Sequence, residues 1–280
     1  MKKTILVLGA TGNQGGAVVK ALLRTDFSVR AFVRDASSKH AKQLEKRGVE
    51  IVAGNLDGFD SLVRAMNGVY GVFSVINFMD GGVQKEEERG KRVADAAKKA
   101  NVSHFIYSSV GGADRNSGVP HFESKWHVEQ HIRKLGLPYS IVRPTTFMTN
   151  LEESPALMRF IALSMMRGTP SQKPLQMIAV EDIGKWVAHM FLNKEKYLFK
   201  EVEIAGDEVT FTKMILAYQK VYGKTPISIK LPSSLFTMGD LGKMISWINK
   251  YGYQADVRMN RAEIPDLLTY EQFIALKKPL

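Results

Sequence analysis

Six short apolar runs, TILVLGA, SVRAFVR, EIVAGNL, GVFSVI, HFIYSSV and YSIVRP, begin at Thr4, Ser28, Glu50, Gly71, His104 and Tyr139 and alternate with stretches of helical periodicity. Runs that are apolar at most positions, rather than at every second one, are strands covered on both faces, the condition of a parallel sheet. Helical spacing fills 13–25, 37–47, 59–67, 83–100 and 122–135 between them. Strand then helix, repeated, defines an α/β fold built on a doubly wound parallel sheet. At 280 residues and 45% hydrophobic content, the chain can bury such a core and still carry an appendage.

After Pro144 the pattern changes to methionine-rich apolar segments such as ALMRFIALSMM from Ala156, a helix over Val180 to Leu192, a strand EVEIA at 201–205, and helices near 212–221 and 234–250. The expected division is a nucleotide-binding domain over 1–146 and a smaller C-terminal α/β region over 147–280 that covers the cleft. That boundary is interleaved, since the strand near 201–205 is free to rejoin the main sheet. The methionines between Met158 and Met177, with Met165 and Met166 between them, read as core filling, with an adaptable pocket wall as the alternative.

Residues 9–16 read GATGNQGG and place Gly9, Gly12 and Gly15 between the first strand and the first helix. In that setting glycines serve a turn with positive φ, a close approach of main chain to a pyrophosphate, and tight packing of helix on strand, while the unpaired N–H groups of the helix start face the anion. The segment is therefore a dinucleotide-binding turn of a Rossmann-type fold. The second strand ends at AFVRD, so Arg34 falls where the adenosine ribose lies. A guanidinium there can fork onto the 2′-phosphate of NADP, whereas an acid would favour NAD; Asp35 is one position too late, and Ser37 and Lys39 can complete the phosphate pocket.

Composition removes other classes. The chain has no cysteine, which excludes disulfides, thiolate metal sites and a Cys nucleophile and is consistent with a cytoplasmic location. MKKTILVLGA has the charge order of a signal peptide, but Gly9, Gly12 and the polar pair Asn13 and Gln14 interrupt it, and no run is long enough to span a bilayer. The net charge of +11 attracts phosphates, yet basic residues are mixed with acids, as in KEEERGKR at 85–92, which reads as a solvated face. Direct nucleic-acid binding is accordingly not expected, and the oligomeric state is left open. His127 and His131 lie four apart on one helix without an evident third ligand, so no metal is assigned.

TGNQGG, the VRD strand tip, GNLDG at 54–58, VINF at 75–78, YSSVGGAD at 107–114, HFESKWHVEQHIR at 121–133, SIVRPTTFM at 140–148, VEDIGKWV at 180–187 and EVEIAGDEVTF at 201–211 together resemble the NmrA-like proteins, atypical members of the short-chain dehydrogenase/reductase superfamily, their redox sensors among them. The resemblance implies NADP(H) as cofactor, with Gly9, Thr11, Gly12, Asn13, Gln14 and Gly15 at the pyrophosphate and Arg34 and Lys39 at the 2′-phosphate. It implies Asn55 and Leu56 at the adenine edge, Asn77 and Lys125 at the nicotinamide half, and Arg89 as a further phosphate contact.

Active dehydrogenases of that superfamily use Tyr-x-x-x-Lys on a helix, where four-residue spacing brings both groups to one face. Here the stretch is His121-Phe-Glu-Ser-Lys125: the lysine is present and the tyrosine is not. His121, Lys125 and Ser109 are the candidate catalytic residues, with His121 as proton donor and Ser109 orienting a substrate carbonyl; the alternative is that Lys125 holds cofactor while the other two only line the pocket. Two functions are carried forward. One is a cofactor sensor whose occupancy orders the loops near 111–120 and 145–155 for a protein partner. The other is a reductase of a quinone or similar small planar acceptor walled by Phe78, Phe147 and Met148. A sugar-nucleotide epimerase shares the fold but calls for the missing tyrosine.

Overall fold

The strands alternate their side chains between two helical layers, and this alternation explains why they read as apolar throughout. In the first strand, β1 (Thr4–Leu8), Ile5 and Val7 enter the core on one face while Leu6 and Leu8 enter the core on the other. The computed structural model describes residues 2–168, 174–230 and 239–277.

After β1 the chain runs through α1 (Asn13–Leu22), β2 (Ser28–Val33), α2 (Lys39–Glu45), β3 (Glu50–Ala53), α3 (Phe59–Met66), β4 (Gly71–Ser74), α4 (Gly82–Lys99), β5 (His104–Ser108), α5 (Pro120–Lys134) and β6 (Tyr139–Pro144). The second half contributes β7 (Thr146–Phe147), α6 (Thr149–Glu152), α7 (Ala156–Gly168), β8 (Leu175–Ile178), α8 (Val180–Leu192), α9 (Lys194–Tyr197), β9 (Lys200–Ile204), β10 (Asp207–Val209) and α10 (Phe211–Tyr222). Three more helices follow: α11 (Gly239–Lys250), α12 (Val257–Glu263) and α13 (Tyr270–Lys277). Residues 234–238 of the expected helix 234–250 fall outside the described residues, and α11 accounts for the rest.

Seven strands form one parallel sheet in the order β3-β2-β1-β4-β5-β6-β9. The chain winds outward from β1 to β3, then returns to β4 and winds the other way. A crevice therefore opens beyond the carboxyl ends of β1 and β4, at the switch point. One face of the sheet is covered by α1, α2 and α8, the other by α3, α4 and α5. The strand at 201–205 does rejoin: Ser140 pairs with Lys200 and Pro144 with Ile204.

The C-terminal half is thus interleaved with the first. Helix α8 lies so tightly on α1 that a Cβ at Gly184 would stand 2.4 Å from the Ala17 carbonyl oxygen. Strands β10, β8 and β7 make a separate three-stranded sheet. Met148, Met177 and Met214 are buried beneath it with Tyr218, Tyr270 and Phe273. The methionines are mostly core: Met165 and Met177 are buried, while Met158 is exposed.

Candidate coenzyme crevice and its two ends

At the switch point the three glycines have three different reasons to be glycine. Gly9 has φ +66°, a conformation side chains resist. A Cβ on Gly15 would lie 2.1 Å from the Gly9 carbonyl oxygen, so helix and turn could not close. Gly12 meets only the Gly9 oxygen, at 3.4 Å, and its N–H donates to that oxygen at 2.9 Å. Nothing among the described residues demands a bare main chain at Gly12, which is exposed.

Gly12 is also the N-cap of α1, and no side chain caps the helix and no acid sits in its first turn. The helix start therefore presents unneutralised N–H dipoles to the crevice. Thr11 and Asn13 are exposed beside it. Gln14 points under the turn, where its Oε1 accepts a 2.8 Å hydrogen bond from Ser108 Oγ at the end of β5.

Arg34 follows β2 and its side chain is 81% exposed; Nη1 lies 3.5 Å from Asp80 Oδ2. The neighbouring acid is already occupied: Asp35 accepts from Ser37 N and Ser37 Oγ, and these bonds hold its carboxyl below the usual range. Ser37 is thereby committed to its own turn. Lys39 opens α2 and is exposed. Asn55 is exposed in the loop after β3, its Oδ1 accepting from Asp57 N, and Leu56 is half-buried against the core.

Arg89 does not face the crevice as a free cation. Its Nε and Nη2 donate to the two oxygens of Asp57, each at 2.8 Å, and Nη1 donates to the carbonyl and carboxylate of Asp80. With every arm of the fork engaged, its expected role as a phosphate contact gives way to a clamp between the loops after β3 and β4. The Arg89 guanidinium in turn lowers the pKa of the Asp57 carboxyl.

At the other end of the crevice, Lys125 Nζ donates to the Ile76 carbonyl at 3.1 Å and pairs with Glu86 Oε1 at 3.0 Å. Glu86 Oε2 accepts from Ser124 Oγ at 2.5 Å, and the Glu86 side chain is wholly buried. Glu86 belongs to the KEEERGKR run, so this part of the run is not a solvated face. It is buried because α4 and α5 approach closely at Gly90, where a Cβ would stand 2.6 Å from Val128.

His121, half-buried, stacks on Phe78 with ring centroids 4.8 Å apart and meets the edge of Phe122 at 4.9 Å. Burial, only partly opposed by Glu86, lowers its pKa, so the ring is neutral near pH 7. Its Nδ1 and the Oγ of buried Ser109 have no hydrogen-bond partner among the described residues. Asn77 Oδ1 accepts from Met79 N and shapes the loop that carries Phe78. The crevice thus groups Lys125 and His121 on α5 with Phe78, whereas Ser109 bonds to neither of the other two candidates.

A roof lies beside them. Trp247 of α11 packs on Phe122 and over Gly112, where a Cβ would be 2.1 Å from the indole. Tyr253 similarly crowds Gly111 and accepts a hydrogen bond from Thr146 Oγ1 at 3.4 Å. His127 Nδ1 pairs with Glu87 and His131 Nε2 with Asp95.

A seven-stranded parallel sheet of this order, with a bare-glycine first turn at its switch point, is a Rossmann-type fold. The chain belongs to the NmrA-like family, whose profile matches residues 1–274. An NmrA-like oxidoreductase, malD of Malbranchea aurantiaca, is 31% identical over 259 residues, covering 83% of this chain and 76% of that protein. Among solved structures, NmrA, a negative transcriptional regulator in complex with NADP, superposes with a TM-score of 0.78 at 20% identity, over 98% of this chain and 94% of that one. The same regulator is also known with NAD. The NADPH-dependent quinone oxidoreductase QOR2 of Escherichia coli, with NADPH, gives 0.80 at 21% identity, over 98% and 99%. No helix among the described residues is long and apolar enough to cross a membrane.

Proposed function

We propose that this chain binds NADP(H) and acts as a cofactor sensor. The crevice suits the group: a cradle that a Cβ would fill at Gly15, an open side at Gly12, an uncapped helix start, and an exposed arginine at the second strand tip. Gly9, Thr11, Gly12, Asn13, Gln14 and Gly15 hold the pyrophosphate, Arg34 and Lys39 the 2′-phosphate, Asn55 and Leu56 the adenine, and Asn77 and Lys125 the nicotinamide half.

The observation that carries the sensor reading is the loop 77–82, which touches both ends of the crevice. Asp80 faces Arg34, while Phe78, two residues away, covers His121. A 2′-phosphate competes with Asp80 for Arg34, and the exchange reaches the aromatic surface through the same loop. Gly81 and Gly82, with φ of +105° and +87°, join that loop to α4. A ligand shifts such a surface only by binding its two arrangements unequally. NADPH and NADH should therefore be titrated calorimetrically and each complex subjected to limited proteolysis. The expected result is tighter NADPH binding with changed cleavage near 77–82 and 111–120; saturating NADPH with an unchanged cleavage pattern overturns the sensor reading.

A second reading, reduction of a planar acceptor, draws on the wall of Phe78, His121 and Phe122 and on relatives named as oxidoreductases. Bound reduced nicotinamide supplies the hydride in that chemistry. His121 Nδ1 and Ser109 Oγ, neither with a hydrogen-bond partner among the described residues, are the groups that would orient the acceptor. Stopped-flow mixing of the NADPH complex with quinones and cationic dyes should then bleach the nicotinamide absorbance, and no turnover across such a panel removes this reading.

A further inference from the structure

Glu86 is a carboxylate taken out of water beside the nicotinamide end of the crevice, yet neither of its oxygens faces the crevice as a base. One accepts from Ser124 Oγ and the other pairs with Lys125 Nζ, and the side chain is fully buried. Ser124 Oγ also lies 3.3 Å from the His121 carbonyl, but its one proton is better placed at Glu86, 2.5 Å away.

An ammonium has three donors. In Lys125 one goes to the Ile76 carbonyl, Glu86 Oε1 stands 3.0 Å away as an ion-pair partner rather than a hydrogen-bond acceptor, and the Tyr107 ring flanks the same nitrogen at 5.7 Å from its centroid. These contacts come from three elements: the strand-end loop after β4, helix α4 and strand β5. The nitrogen is held from three sides, which restricts where its remaining N–H groups can point. A flexible four-carbon stem would otherwise let the charge wander and lose rotamer freedom on binding. A buried pair of this kind returns little net stability, because desolvating both charges offsets their attraction. Its product is position.

We infer that Glu86 is a positioning residue, whose charge holds the Lys125 ammonium in place so that a remaining N–H is presented to the nicotinamide half of the coenzyme. This rests on the NADP(H) reading above. It separates the coenzyme into two independently held halves, since Glu86 and Ser124 lie away from the Arg34 end. The fragment 2′,5′-ADP, which carries the adenosine and 2′-phosphate without the nicotinamide, should be indifferent to Glu86.

The test is calorimetric titration of wild type, Glu86→Gln, Lys125→Met and the double variant with NADPH and with 2′,5′-ADP, together with the emission of bound reduced nicotinamide. In Glu86→Gln the NADPH dissociation constant should rise by roughly tenfold, the size of one lost charge-assisted hydrogen bond, and the nicotinamide emission should move toward that of free coenzyme. Binding of 2′,5′-ADP should change by less than about twofold, a shift worth under ~0.5 kcal/mol. The double variant should bind NADPH no worse than Lys125→Met. Having no unpaired buried charge, it should fold even where a single variant does not, and it is then read against wild type, with NADPH weakened and 2′,5′-ADP unchanged.

Unchanged NADPH binding in Glu86→Gln, equal losses for both ligands, or losses that multiply in the double variant overturn the inference while leaving the coenzyme reading intact. A wild-type protein that binds neither ligand overturns both.

Discussion

The two ends of the crevice use charge in opposite ways. At the Arg34 end, Arg34 and Asp80 stand 3.5 Å apart with side chains 81% and 57% exposed, so water and salt can replace either partner at little cost. At the Lys125 end, Glu86 and Lys125 have left water together, and neither can lose the other without stranding a charge. The exposed pair suits an exchangeable contact, where an incoming phosphate displaces a carboxylate. The buried pair suits a fixed one. Arg89 is intermediate: it is buried and bidentate on Asp57, yet it also steadies Asp80.

The hardest test of this contrast is to remove one buried partner. Lys125→Met should lower the unfolding free energy by about 3–5 kcal/mol, because Glu86 is left unpaired. Urea titration measures this, and a loss below about 1 kcal/mol would place the Glu86 site in contact with water.

A second buried group extends the contrast to the amino-terminal end of an inner strand. His104, at the start of β5, has Nε2 2.8 Å from Ser140 Oγ, and burial, with Lys194 adding to it, pushes its pKa from 6.5 down to about 3. Below about pH 6.5 the unfolded chain takes up a proton that the native state refuses until about pH 3. Native stability is therefore unaffected above this window and is lost progressively within it as pH falls. By pH 4.5 the loss from this one group is about 2–3 kcal/mol. Denaturation midpoints from pH 7 to 4.5 should fall less steeply in His104→Gln than in wild type.

At the exposed end the effects move from folding to binding. Arg34→Ala should weaken NADPH by roughly tenfold or more, about 1.4 kcal/mol, and leave NADH nearly unchanged. Equal losses for the two coenzymes would reassign the 2′-phosphate site. The smallest effect is expected for Asp80→Asn, which removes the competing carboxylate: NADPH should bind about twofold tighter at low salt, with thermal stability within about 0.5 kcal/mol of wild type. A larger gain in affinity would show that Asp80 competes more strongly than an exposed pair should.

What could be read from the sequence follows the same division. The glycine turn was legible because its demands are on the backbone: positive φ at Gly9 and a close approach at Gly15 admit almost no other residue. The six strands of the first half were legible from their continuous apolar runs. The buried partner of Lys125 was not, because KEEERGKR looks like a solvated helix face when read as a charge run. The usable signal was periodic: Glu86, Gly90, Val93 and Ala97 recur at helical spacing and all are buried, which places the carboxylate on the inner stripe. Arg89 was misread for a related reason, since its partner Asp57 is 32 residues earlier and only the fold brings them together. The three-stranded sheet also escaped notice. Its strands run two to four residues, too short to show a period, and they are stabilised by the pairing of segments far apart in the chain.

The seat of α8 on α1 has a bearing on protein engineering. Because Gly184 rests against the Ala17 carbonyl, the helix whose start faces the crevice is braced by a segment synthesised long after it. A fragment ending at 146 would lack that brace along with the seventh strand, leaving Val18, Val19 and the outer edge of β6 bare. Excising the first half as a stand-alone nucleotide module should yield an insoluble product, whereas grafts in the outlying three-stranded sheet leave the brace untouched.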